Sequence, residues 1–251
     1  MTSEGVWCSM PYSLRELEMT RIGDGFFSRR NTVFKSLLGK ETVVVKVFPE
    51  GVTDAARKEY SMLQECQSVG VSAPIPLELA DQFIVMEYVE GSTLSEHLDS
   101  IWLGSTDGQL ADRIALDSAA SSLGRWFSDF HSSFGNRLCR GDANMRNFLI
   151  DRRGVTGIDF EESGEGDIIN DIGQACSSIL SMRPMFTRDK AKFCRTLAEK
   201  YFTAMGFTKT TELGESTAHA LEHYASYRSD GESMVKKAAE IRSMGIWSDE
   251  E

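Results

Sequence analysis

Between Arg140 and Ile150 the chain reads Arg-Gly-Asp-Ala-Asn-Met-Arg-Asn-Phe-Leu-Ile, and Gly157-Ile158-Asp159-Phe160-Glu161 follows shortly after. Asp142 and Asn147 stand five positions apart, just before an apolar run, and Asp159 is flanked by Ile158 and Phe160. Apolar runs this short, each set beside a polar group, are expected to form short buried strands that fix the polar side chains at one end.

Such a set suits phosphoryl transfer. That chemistry needs one carboxylate to orient and deprotonate an attacking hydroxyl, and an Asn and an Asp to hold magnesium on the phosphates. Length is compatible with it: 251 residues can make one large domain or two small lobes. With 41% hydrophobic and 26% charged residues, the chain has the composition of an ordinary globular protein with ample core material. No apolar run approaches a membrane span, and Met1-Thr2-Ser3-Glu4-Gly5 lacks the basic-then-apolar order of a signal peptide, so no membrane partner is expected. A net charge of −11 argues against broad nonspecific binding to nucleic acid. Cys8, Cys66, Cys139, Cys176 and Cys194 are odd in number, scattered and without a CxxC pair. They are expected to be reduced thiols, mostly small core residues, of a cytoplasmic protein rather than a disulfide framework or a zinc site.

The chain changes character near Gly91. Before it, Val43 to Phe48 is β-branched and apolar except for Lys46, and it follows a turn at Gly39-Lys40, which predicts a hairpin. Phe83 to Met86 is a second short apolar strand. Between them Asp54 to Ser68 is expected to be a helix, with Asp54 as its cap and Ala55, Tyr60 and Leu63 among its apolar positions. Pro74 and Pro76 are expected to end the connection that follows. After Gly91 helical spacing dominates. One helix is expected from Asp112 to His131 through Ile114, Leu116, Ala119, Leu123, Trp126, Phe127 and Phe130. Others are expected near Asp171–Met182, Thr187–Met205, Glu212–Tyr227 and Gly231–Met244, before an acidic tail. The fold class is therefore α+β, with a small strand-rich lobe, a connector and a larger helical lobe; the expected boundaries are 1–86, 87–91 and 92–251.

That order, with these motifs, resembles the protein-kinase-like superfamily from about Ile22 to Asp171. The resemblance is closest to its compact branch: aminoglycoside phosphotransferases, RIO kinases and the small kinase of the KEOPS complex. It implies that ATP and magnesium bind between the lobes. Gly23, Gly25 and Ser28 would belong to a glycine-rich loop over the phosphates, where missing side chains let backbone N–H groups approach closely. Lys46, about twenty residues beyond Gly25, matches the lysine on the α- and β-phosphates, whereas a lone strand lysine usually just reaches solvent. Glu59 is its natural partner on the next helix, with Glu65 as the competing candidate. Met86 to Gly91 resembles the segment that pairs with adenine through main-chain groups, Glu87 giving its C=O and Val89 its N–H. Ile22, Val44 and Leu149 would wall the ring, though plain core packing also accounts for them. By the same resemblance Asp142 is the catalytic base, Asn147 and Asp159 ligate magnesium, and Asp171 braces the catalytic loop.

Three positions depart from the pattern. Arg140 replaces the family His, which bears on how the loop is held; Glu161 replaces the DFG glycine, which disfavours a DFG-type switch; and Asn144 stands where Ser/Thr kinases carry lysine. Arg146 is the candidate to supply the missing charge near the transferred group. Arg29, Arg30, Arg137, Arg140, Arg146, Arg152 and Arg153 could read an anionic substrate, though such residues commonly spread over a solvated surface. The short stretch from Asp159 to Asp171 leaves no room for an activation segment. The first expectation for the acceptor is a small-molecule hydroxyl; the alternative is a compact serine/threonine protein kinase or ATPase. A silent nucleotide-binding scaffold would have no need of Asp142.

Overall fold

The computed structural model describes residues 20–26, 30–49, 51, 53–80, 82–104 and 110–246. Ser28 and Arg29, Cys8, and the acidic tail from Trp247 lie outside them. The chain divides into two units, Met1–Ser68 with Ala73–Val89, and Val69–Ser72 with Glu90–Glu251.

The first unit is built on an antiparallel sheet in the order β1-β2-β3-β5-β4. Its strands are β1 (Thr20–Phe26), β2 (Thr32–Leu38), β3 (Glu41–Val47), β4 (Pro76–Ala80) and β5 (Phe83–Glu87). The expected hairpin joins β2 to β3 with Leu38 opposite Glu41, and Gly39 takes a positive φ of 65° in the two-residue turn. Strand alternation sends Val43 and Val45 into one cluster with Phe34, Phe83 and Val85. Helix α1 (Thr53–Val69) follows β3. Two details differ from expectation. Asp54 lies inside the first turn of α1 rather than at its cap, and the buried stripe is Ala56, Met62, Leu63 and Cys66, while Ala55 and Tyr60 are only half-buried. The connection does end at Pro76, which opens β4, an edge strand, where a missing N–H costs no ladder bond.

The second unit is helical: α2 (Leu94–Gly104), α3 (Leu110–Ser133), α4 (Ile169–Leu180), α5 (Arg188–Met205), α6 (Thr210–Ala225) and α7 (Gly231–Met244). Two small ladders interrupt it. One is β6 (Ser92–Thr93), β8 (Phe148–Asp151) and β9 (Gly154–Gly157), and the other pairs β7 (Leu138–Cys139) with β10 (Gly164–Glu165). Phe148 does start a strand directly after Asn147. Asp159 sits beyond the end of β9 instead, because its φ of 64° is not a strand conformation.

Burial along α3 begins at Ala119; Ile114, counted by periodicity as apolar, is 61% exposed. Where α3 meets α5, Gly124 has no Cβ to hold the helices apart: one built there would lie 2.7 Å from the Leu197 carbonyl oxygen. Trp126 is the centre of the core around the site. It stacks on Phe130 (5.3 Å, 10°), meets Phe148 edge-on (5.1 Å) and donates Nε1–H to the Ser72 carbonyl at 2.8 Å. The four described cysteines are all buried free thiols. No described helix is long and apolar enough to cross a membrane.

A Cβ at Gly157 would overlap the Trp126 ring. Gly157→Ala should therefore lower the unfolding free energy by about 1–3 kcal/mol through overpacking. Gly104→Ala, with open space around it, serves as the control. Urea unfolding of the two variants should separate them clearly.

Candidate active site

In the strand-rich unit the alternation of β3 places Val44 and Lys46 on the face opposite Val43 and Val45. Lys46 is only 4% exposed, so its ammonium needs an anion. Glu59 supplies it: Oε2 lies 2.5 Å from Nζ, and Glu59 itself is 1% exposed. Nζ also lies 5.0 Å from the Phe48 ring centroid. This resolves the choice between two glutamates. Glu59 shares the buried stripe of α1, whereas Glu65 is exposed.

Pairing of β1 with β2 passes directly from Ile22–Lys35 to Gly25–Phe34, so Gly23 and Asp24 leave the ladder as a bulge. A Cβ at Gly25 would come within 3.1 Å of the Val33 carbonyl oxygen, a tight approach. Ser28 lies outside the described residues. Val44 pairs with Met86 across the sheet. Glu87, at the end of β5, donates its N–H to Ile75 O at 2.8 Å, and its carboxylate accepts Ile75 N–H at 3.3 Å. The Tyr88 hydroxyl accepts Lys35 Nζ at 2.7 Å, and Val89, half-buried, closes the unit.

In the helical unit the loop after β7 carries Asp142. Asn147 donates Nδ2 to Asp142 Oδ2 at 3.0 Å and to the Asp142 carbonyl at 3.2 Å, while Asn144 N–H reaches Asp142 Oδ1 at 3.3 Å. The carboxylate is thus held on both oxygens. The loop is fastened along its length: Ala143 N–H to Gln174 Oε1 (3.1 Å), Met145 N–H to Ser178 Oγ (3.2 Å), and Arg140 N–H and Gly141 N–H to the two oxygens of Asp171 (2.5 and 3.1 Å). Gly141 has φ of 87°, and a Cβ there would overlap Glu162. Asp171 also meets His131 Nε2 at 3.0 Å, and His131 Nδ1 meets the Tyr201 hydroxyl at 2.9 Å. Burial first, and then Asp171 and Asp167, push the Cys139 thiol up to about 12, so it is not a nucleophile.

Arg140 is fully buried and cannot read a substrate, unlike the exposed Arg137, Arg146, Arg152 and Arg153. Its guanidinium bonds the carbonyls of Asp142 and Ile158, reaches those of Asn147 (3.3 Å) and Asp159 (3.2 Å), and lies 5.0 Å from the Phe148 ring and 5.4 Å from the Phe160 ring. It therefore ties the Asp142 loop to the Asp159 segment directly. Leu149 is half-buried on β8 between Thr93 and Thr156. Arg146 is exposed and acts on Asp99 of α2; burial pushes that carboxyl up, and Lys190 and Arg146 oppose the shift.

The Asn147 amide nitrogen is engaged by Asp142, which turns its oxygen away from that carboxylate. Asn147 and Asp159 together offer oxygen donors only, the set a hard cation such as magnesium requires. Two contributors escaped the sequence reading. Gln174 is one, and nothing in its local pattern marks it. Tyr224 is the other: burial first, and then the charge of Asp142, push its phenol up. It comes from α6, remote in sequence from the loop, and resembles any core tyrosine of an amphipathic helix.

A family model described as the RIO domain matches residues 44–165, just under half of the chain. No curated protein matches the sequence. Among solved structures, WaaP in complex with acyl carrier protein is similar at 18% identity, over 88% of this chain and 89% of that one, with a TM-score of 0.53. An aminoglycoside-3'-phosphotransferase of type VIII is similar at 18% identity, over 80% of this chain and 93% of that one, with a TM-score of 0.56. These likenesses establish the α+β protein-kinase-like fold.

Arg140→Lys keeps a cation but loses the planar fork that spans the carbonyls of Asp142 and Ile158. It should cost about 2–4 kcal/mol of stability. A loss below about 0.5 kcal/mol in urea unfolding, the range of a neutral surface change, would show that the fork does not hold the loop.

Proposed function

We propose that the chain, which belongs to the protein-kinase-like superfamily, is an ATP-dependent phosphotransferase acting on a hydroxyl of a small molecule. The observation that carries this reading is the Asp142 carboxylate, fixed on both oxygens by Asn147 and Asn144 in a loop anchored to α4. As the acceptor oxygen bonds to the γ-phosphorus, its proton passes to Asp142 and the bond to the ADP oxygen breaks. Asn147 and Asp159 would hold magnesium, which when bound neutralises phosphate charge. Lys46, kept charged and aimed by Glu59, would contact the α- and β-phosphates, and the Gly23–Gly25 bulge would offer backbone N–H groups to them. Glu87 and Val89 would meet adenine through their main chain, with Val44 and Leu149 as walls, and Arg146 would stabilise charge on the transferred group.

The small-molecule acceptor is favoured by the stretch from Asp159 to the start of α4 at Ile169, which holds one turn and the two-residue β10. It leaves no segment to be ordered by phosphorylation. A second reading, a compact protein kinase, is favoured by the RIO-domain match over residues 44–165.

Asp142→Asn should retain nucleotide affinity, because a base acts in the transition state, while turnover falls about a hundredfold or more. Lys46→Ala should instead weaken nucleotide binding in calorimetry with ATP and magnesium. Unchanged turnover in Asp142→Asn removes the base. Label from ATP found only in protein bands, across a pool of sugars, aminoglycosides and amino alcohols, selects the protein-kinase reading.

A further inference from the structure

Ile22, Lys35, Val44 and Met86 form one row across the first sheet, and they share a face because paired residues of neighbouring strands point the same way. Three of the four are apolar; Lys35, half-buried, is the exception. A lysine without a partner in such a row lays its stem on the apolar surface and turns its ammonium to water. Lys35 turns it to Tyr88 instead. Its Nζ donates to the Tyr88 phenol oxygen at 2.7 Å and lies 4.0 Å from the centroid of that ring. The Phe26 ring, on the same face, is 5.7 Å away. Tyr88 is half-buried too, and a charged donor or a cation over a ring contributes more where water is partly excluded.

The place of this contact in the sheet decides what it serves. The β5 ladder ends at Glu87, so strand pairing does not hold Tyr88 and Val89. The bond from Lys35 ties their segment back to β2 across 53 positions of sequence. Lys46 occupies the next row of the same face, opposite Val33 and Ile84, about 7 Å further along the strands. The ammonium proposed to meet phosphate is therefore in one row, and Lys35 is in another, beside Val44, the proposed wall of the base. A main-chain segment ordered before its ligand arrives loses less entropy on binding, which raises affinity.

We propose that Lys35 is a positioning residue for the nucleobase: by holding Tyr88 it fixes the main chain of Glu87 and Val89, and so sets affinity for the base rather than for the phosphates. The inference rests on the reading of the chain as an ATP-dependent phosphotransferase. Lys35 acts through Tyr88 and touches no reacting atom.

Calorimetry of the full chain with Mg-ATP and with adenosine separates base from phosphate. Lys35→Met keeps the apolar stem and removes the ammonium. It should weaken ATP and adenosine alike, by about tenfold, the loss expected for one hydrogen bond from a charged donor, with an unchanged midpoint in urea unfolding. Tyr88→Phe keeps the ring and removes the acceptor. It should weaken adenosine by about threefold and add nothing further in the Lys35→Met background, because the two side chains act as one contact. Equal adenosine affinity in wild type and Lys35→Met overturns the proposal. So does a loss confined to ATP, which makes Lys35 a phosphate contact, and so do additive losses in the double variant. If wild type binds neither ATP nor adenosine, the phosphotransferase reading itself fails and this inference falls with it.

Discussion

The Asp171 carboxylate is fully buried and accepts from Arg140 N–H, Gly141 N–H and the His131 ring. A carboxylate taken out of water without partners costs several kcal/mol, and each hydrogen bond to a charged group returns about 1.5–3 kcal/mol. The loop backbone therefore cannot drift without stranding a charge in the core. Because His131 ends α3, Asp171 begins α4 and Tyr201 lies on α5, one polar chain pins three helices to the start of the Asp142 loop. The position of Asp142 follows from that anchor, then from Gln174 and Ser178 one and two turns further along α4.

Arg140 extends the anchor in the other direction. Where the kinase pattern has a histidine, a buried guanidinium reaches four carbonyl oxygens and two aromatic rings, and so couples the loop to the Asp159 segment. Five donors in a planar fork make this possible, and neither lysine nor histidine could span the same set. Lys46 and Glu59 use the same economy in the strand-rich unit. A buried ion pair contributes little net stability against an apolar replacement, so its presence is better accounted for by where it points an ammonium than by what it adds to folding.

Both readings of the acceptor share this machinery, since the RIO-domain match and the similar phosphotransferase structure have the same fold. They separate only on what surrounds Asp142. The abrupt passage from Asp159 into α4 is a feature of the chain itself, and it is the observation on which the small-molecule proposal rests.

Much of the fold was legible because periodicity is a local property. The β2–β3 hairpin, α1, the helices from α3 onward and their approximate ends follow from which residues alternate with period two or recur at helical spacing. The candidate residues could be named because the motifs that carry the resemblance to kinases are short, local runs of sequence. What periodicity could not assign is burial, which depends on the element that arrives from elsewhere. Ile114 fits the apolar pattern of α3 yet faces solvent, and Pro76 opens an edge strand because β4 lies at the end of the sheet. Glu59 rather than Glu65 pairs with Lys46 because only Glu59 falls on the buried stripe of α1, a distinction visible once Ala56, Met62 and Cys66 are known to be inside. The sequence by itself determined the kinds of element, their order and the polar groups available for chemistry. The tertiary structure decided that Arg140 is a strut and not a ligand reader, and that Gln174 holds the loop of Asp142, because contacts between residues remote in sequence carry no local signature.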